Sequence, residues 1–137
     1  MNGKRYFWAS LAVLAVRKPL DYLGDTFVLA HEWQKTGLLR PDVPATVPLM
    51  FAVGVLASFV FTYIFVKGYE GKGLWEGVRF GIIISLFSTV PTGLGAWMIF
   101  PVPVPLVVIW ILNGLLLNLV SGIIAAAVYR PAVPAKP

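Results

Sequence analysis

Cysteine is absent from the 137 residues, which excludes disulfides, thiolate metal sites, cysteine nucleophiles and haem attached through cysteine. Histidine occurs once, at His31, so neither a two-histidine haem site nor a zinc cage can be assembled. A single axial contact to a haem or pigment is the only cofactor role left to His31, beside the plainer reading of a surface histidine. No cofactor and no metal are expected, only bound lipid.

Charge is scarce too. Charged residues make up 12% of the chain against 58% hydrophobic, and the mean hydropathy is +0.82. A soluble domain carries about 25% charged and about 45–50% apolar residues, so this composition is that of a membrane protein. No stretch outside the apolar runs is long enough to fold a soluble catalytic domain. No convincing pairing of nucleophile and base is present, so an enzyme acting on lipid is the weakest of the functional readings. The net charge of +5 does not point to nucleic acid, because the cations cluster where apolar runs end rather than on a basic helix.

The apolar runs predict an all-α, single-domain, four-helix membrane bundle with spans at about 6–31, 48–66, 74–100 and 104–129 and a Pro-rich tail at 131–137. Lys4-Arg5 before an apolar run resembles a signal peptide. Ala12-Val13-Leu14-Ala15 is a poor cleavage site, so an uncleaved first span is expected. Lys4, Arg5, Lys67, Lys72, Arg79, Arg130 and Lys136 fall on one side, which places both termini in the cytoplasm. Trp8 and Trp75 suit that interface, Trp33 and Trp97 the opposite one.

Small residues recur every fourth position in span 3 (Gly77, Gly81, Ser85, Thr89, Gly93) and in span 4 (Gly114, Asn118, Gly122, Ala126). Such stripes let helix backbones approach closely in lipid, so spans 3 and 4 are expected to cross on them. Gly54 and Ser58 give span 2 a shorter version. Pro48 suits the first turn of span 2. Pro91 should kink span 3, with Ser88 and Thr92 available to satisfy freed carbonyls. Pro101, Pro103 and Pro105 forbid helix and predict an extended connection.

Span 1 holds the one feature that needs a functional explanation: Arg17, Lys18, Asp21 and Asp25. Each charge at mid-bilayer costs about 2.5–3.5 kcal/mol, and four together on the order of 10 kcal/mol or more. The apolar residues of the span return only about 3–6 kcal/mol. These groups must therefore pair, snorkel, or face protein or water. Arg17, Asp21 and Asp25 share a helical face at four-residue spacing, and Arg17–Asp21 is the expected pair. Three readings stay open: a self-neutralised patch or an ion pair with a neighbouring protein, a proton or ion relay or polar substrate site, and a helix broken at Pro19 with the charges in water. Asn113 and Asn118, with Ser85, Ser88, Thr89 and Thr92, are the polar residues available to line such a site.

The segment from Lys67 to Gly81 contains Tyr69, Glu70, Glu76 and Arg79 among closely spaced glycines. It is not a phosphate loop, since it lacks Gly-Lys-Ser/Thr and follows no strand. Glu76 suits the first turn of a helix, and Arg79 is placed to pair with it or reach lipid phosphates. A rigid glycine turn is the plain reading and a cytoplasmic binding loop the sharper one.

Phe65-Val66-Lys67-Gly68-Tyr69-Glu70-Gly71-Lys72-Gly73, followed by Glu76-Gly77-Val78-Arg79-Phe80-Gly81, resembles the loop pattern of a family of short bacterial four-helix integral membrane proteins. Trp110, the 122–129 end of span 4 and Leu20-Asp21-Tyr22-Leu23 resemble that family more loosely. Arg17-Lys18-Pro19 departs from its smoother first span. The resemblance implies four helices in a bacterial plasma membrane and no reaction or catalytic residues. The expected function is a non-enzymatic small subunit that packs against and stabilises a larger membrane complex, or forms a homo-oligomer. The alternative is a small oligomeric transporter or proton- or ion-coupled permease built on the span 1 charges.

Overall fold

The computed structural model describes residues 2–130. Met1 and the Pro-rich tail 131–137, with Lys136, lie outside the described residues. Every described element is helical. The first rod begins with α1 (Gly3–Gly24), passes through a π-helical turn at Asp25–Leu29 and continues as α2 (Ala30–Thr36). Asn2 caps it by accepting the Arg5 backbone N–H at 3.2 Å. Gly37 ends it in the left-handed conformation, φ 66°, which glycine adopts without steric cost. Then follow α3 (Val43–Lys67), α4 (Leu74–Ile84), a second π-helical turn at Ser85–Thr89, α5 (Val90–Ile99) and α6 (Val104–Val128).

Two expectations are corrected here. Pro19 does not break the first helix. It removes one backbone bond, but the helical conformation runs through it. The half-helix reading is thereby overturned. Pro48 also lies inside α3 rather than in its first turn, because the helix starts earlier and Pro44 takes that place.

Val43–Lys67, Leu74–Ile99 and Val104–Val128 are long and apolar enough to cross a membrane. The first rod is longer than any of these, but its charged residues (Lys4, Arg5, Arg17, Lys18, Asp21, Asp25, Glu32 and Lys35) lower its apolar content.

The rods run antiparallel to their chain neighbours. One end of the bundle gathers the start of α1, the end of α3, the start of α4 and the end of α6. The Asn2 N–H donates to the Tyr129 hydroxyl there, and Tyr69 packs edge-on to Tyr129 at 5.3 Å. The opposite end carries Gly37, the 100–103 connection and Trp33 against Trp110 at 5.5 Å. Phe100 and Pro103 are extended, as alternate prolines require.

Helix α6 is the centre, with α1 along one side and α4–α5 along the other. The α4–α6 contact is made on the small-residue stripes. A β-carbon on Gly81 would lie 2.6 Å from the Asn118 carbonyl oxygen, and one on Gly77 would fall on the Gly122 carbonyl. No side chain fits between these backbones.

Apolar core sits at both ends rather than in the middle. Ala9, Val13, Phe61, Phe65, Ala125 and Ala126 form one cluster, and Leu29, Val102, Leu106 and Val107 the other. A buried polar layer of Ser58, Ser85, Asn118 and Ser121 lies between them and continues into the first cluster as Ser10 and Thr62. The five hydroxyls of this layer each donate to a carbonyl four residues back, which satisfies them without a partner helix. The first half of α3 leans away from this core: Leu49, Phe51 and Leu56 are all more than half exposed.

Candidate functional site

The charged face of α1 meets the polar layer of α6. Arg17 Nη1 donates to Asn118 Oδ1 at 2.9 Å and to Ser121 Oγ at 3.3 Å. Its guanidinium also lies over the Phe61 ring, 5.7 Å from the centroid. Asn118 is 3% exposed, and its amide nitrogen donates to Ser85 Oγ at 3.1 Å and Thr89 Oγ1 at 3.2 Å. One amide thus links three helical rods.

This overturns the expected Arg17–Asp21 pair. Asp21 instead pairs with Lys18 at 3.4 Å, and no ion pair forms within 4.0 Å between Arg17 and a carboxylate among the described residues. The reason is steric and local to the fold: Asn118 and Ser121 offer Arg17 fixed acceptors on a packed neighbour. Asp25, one turn beyond Asp21, is exposed and has no ionic partner among the described residues.

A cavity of about 240 Å³ opens beside this cluster. Arg17, Asp21 and Asp25 line it from the first rod, Ser88, Thr89 and Thr92 from the α4–α5 rod, and Trp110, Asn113 and Gly114 from α6. A second cavity of about 330 Å³ lies on the other flank, where Arg17, Lys18, Asp21 and Asp25 face Met50, Val53, Gly54 and Ala57 of α3. All four charged residues predicted from the sequence therefore share one site. So do Asn113, Asn118, Ser88 and Thr92, with Asn118 behind the cavity wall and the other three on it.

Two glycines make room for the polar side chains. A β-carbon on Gly24 would lie 2.5 Å from Asn113 Oδ1, and one on Gly54 would meet the Lys18 stem, 2.6 Å from Nζ. Both π-helical turns also border the first cavity, through Asp25 on one side and Ser88 and Thr89 on the other. Such turns widen the helix by one residue and expose backbone that a regular helix keeps paired. Pro91, two residues beyond the second turn, lacks the N–H that a regular helix would give the Phe87 carbonyl. Ser88 there donates to the Ile84 carbonyl at 2.7 Å.

Ser121, Gly24, Phe61 and Trp110 belong to the site but were not anticipated. Ser121 was legible in principle, since it lies three residues from Asn118 on the same face. The other three depend on packing between distant helices.

The loop at 68–73 is a separate structure. Gly71 and Gly73 have φ of 80° and 76° and turn the chain back over the start of α4. The Glu76 carboxylate, 4% exposed, accepts the backbone N–H of Glu70 at 2.5 Å and of Lys72 at 2.9 Å. Arg79 pairs with Glu70 at 3.0 Å, not with Glu76, because Glu76 is already turned into the loop. Tyr69 packs on Phe65 and Tyr129. This is a closed glycine turn. Hydrogen bonds from Lys72 and then Arg79 hold the Glu70 carboxyl below the usual glutamate range. A depressed value means that its ionic support persists through neutral pH and is lost as pH falls through that lowered value. Protection factors from amide hydrogen exchange, with the intrinsic pH dependence divided out, should accordingly stay unchanged for residues 68–73 from pH 7 down to about 5. Glu76→Ala should speed exchange in the same segment at every pH, because two N–H groups lose their acceptor.

His31 is exposed and lies 3.4 Å from Glu32 at the end opposite the termini. Among the described residues, no group of three or more His, Cys, Asp or Glu is placed to hold a metal ion.

Comparison with protein families, with curated proteins and with solved structures finds no match for this chain.

Proposed function

We propose that this protein is a small, non-enzymatic membrane permease that holds a polar solute or ion against the charged face of its first helix. The observation that carries this reading is that the chain itself supplies polar surroundings for those charges. A cavity lined by Arg17, Asp25, Ser88, Thr92 and Asn113 is what a solute site requires, whereas a purely structural ion cluster needs no such space. The π-helical turn at Asp25, which no neighbouring proline explains, supports the same reading, since such turns recur at functional sites.

In this reading the permease sits in a bacterial cytoplasmic membrane with both termini inside. Support comes from Lys4, Arg5, Lys67, Lys72, Arg79 and Arg130 at one end, while Lys35 and Arg40 at the other are balanced by Glu32 and Asp42.

The absence of cysteine makes the test direct. Thr92→Cys and Asn113→Cys should react with a membrane-impermeant methanethiosulfonate reagent from either side of sealed vesicles of opposite orientation. Phe87→Cys, 80% exposed in the native chain and lipid-facing in this reading, should stay unreacted. Labelling of the cavity positions from one side only, or from neither, overturns the permease reading.

A second reading is favoured by the flank facing α3. There Lys18, Asp21 and Asp25 line a cavity whose other wall is the exposed first half of α3. A neighbouring membrane protein or a second copy bearing a cation could insert there, making the chain an accessory subunit. That reading requires a heavier complex in native detergent extracts that Asp25→Asn weakens. A lone monomer removes it.

A further inference from the structure

The unpaired ends of the charged cluster point to a ligand class. Lys18 and Asp21 neutralise each other, which leaves one cation, Arg17, and one anion, Asp25, on the wall of the same cavity. Arg17 commits Nη1 to α6. Its Nε and Nη2 make no hydrogen bond among the described residues, and neither is sealed from the surroundings. They form the edge of the guanidinium that accepts a carboxylate or phosphate in two parallel bonds. The Asp25 carboxylate likewise accepts no hydrogen bond from the described chain and is exposed.

A simple anion would satisfy Arg17 and leave Asp25 bare. A simple cation would do the reverse. We infer that the cavity binds a small zwitterion, its carboxylate or phosphate on Arg17 and its ammonium on Asp25. This deepens the solute-site reading and rests on it.

The spacing also selects for length. Residues 17 and 25 are eight positions apart, about 12 Å along a helix, and the Arg17 side chain reaches back toward Ser121 rather than toward Asp25. An α-amino acid, with its charges on adjacent atoms of one carbon, is too short to reach both. An ω-amino acid or a phosphoethanolamine unit comes closer. Ser88, Thr92 and Asn113 supply neutral hydrogen bonds along the way.

The test is isothermal titration of the delipidated protein in detergent with glycine, 4-aminobutyrate, 6-aminohexanoate and phosphoethanolamine. Hexanoate and hexylamine serve as single-charge controls. The expected result is that one of the longer zwitterions binds at least about tenfold more tightly than glycine and than either control, the difference made by one added charge-assisted contact. Asp25→Asn and Arg17→Gln should each remove at least about tenfold of that affinity. Arg17→Gln also removes the α6 contact, which affects folding as well as binding, so exposed Asp25 provides the deciding variant. Equal binding of the controls, no binding by any zwitterion, or unchanged affinity in Asp25→Asn overturns the inference.

Two sources share this chemistry, a free solute and the headgroup of an ethanolamine lipid. Mass spectrometry of the protein before delipidation separates them. Phosphatidylethanolamine retained by the wild type and lost in Asp25→Asn identifies the headgroup, and its absence alongside tight binding of a soluble zwitterion identifies the solute. Failure of this inference is distinguishable from failure of the permease reading. Zwitterion binding is read in detergent, passage by labelling across vesicles, and either can fail alone.

Discussion

Gly77→Ala and Gly122→Ala are each expected to destabilise the bundle by about 3 kcal/mol, the upper end of the cost of overpacking a close contact. Alanine is normally favoured over glycine within a helix by about 0.5–1 kcal/mol, so the sign of the effect is set by the neighbour rather than by propensity. At Gly77 the added carbon would lie 2.6 Å from the Gly122 carbonyl carbon and 2.9 Å from the Ile123 nitrogen. Both are backbone atoms, and no rotamer change can move them aside. The helices must separate, and dispersion contacts along the whole stripe weaken with them. In lipid there is no hydrophobic drive to bring them back.

Denaturant titration in mixed micelles, followed by helical circular dichroism, measures this. The double variant should cost much less than the sum, because the first substitution already opens the gap that the second would occupy. Gly95→Ala is the control. Nothing lies within 4 Å of its added carbon, so it should be neutral or slightly stabilising. If Gly77→Ala proved as harmless as Gly95→Ala, the stripes would not be the contact that holds α4 to α6.

Asn118→Ala should be comparably damaging, at about 3–4 kcal/mol. Hydrogen bonds between membrane helices average about 0.6 kcal/mol each, and a bond to a charged group is worth about 1.5–3 kcal/mol. Asn118 makes two of the former, to Ser85 and Thr89, and one of the latter, from Arg17. Ser85 keeps its own bond to the Gly81 carbonyl, so it loses less than Arg17 does. A cycle with Arg17→Met isolates the charged bond: the double variant should recover about 1.5 kcal/mol or more relative to additivity.

Asn113→Ala gives the contrast. Asn113 lines the cavity and makes no hydrogen bond to another side chain among the described residues, so its loss should cost about 1 kcal/mol or less. The two asparagines have the same chemistry and lie on the same helix, but one holds the helices together and the other faces the ligand space. Equal stability losses would contradict that division.

Much of this architecture could be read directly from the chain. Helix number, the extents of the three membrane-length helices and the antiparallel order follow from run lengths and from the short connections between them. The α4–α6 contact was legible because small side chains at four-residue spacing are a local property that needs no knowledge of the partner. The same holds for the glycine turn at 68–73, although not for its details. The sequence suggested Glu76 and Arg79 as partners by spacing alone, but Glu76 is drawn to two backbone N–H groups that only the folded turn presents.

What the chain order could not reveal was how the four charges are divided. Helical spacing makes Arg17 and Asp21 neighbours, and in an isolated helix they would pair. In the bundle, Arg17 finds Asn118, 101 positions away, and Ser121 beyond it, both buried by the packing of α6. Continuity through Pro19 was likewise not decided by the local sequence: the helix runs through it, packed on α3 and α6, despite one missing backbone bond. Local composition dictated that charges lie within an apolar helix. Which of them are left with open valences is a matter of distance in three dimensions, because hydrogen bonds act over about 3 Å and are indifferent to position along the chain.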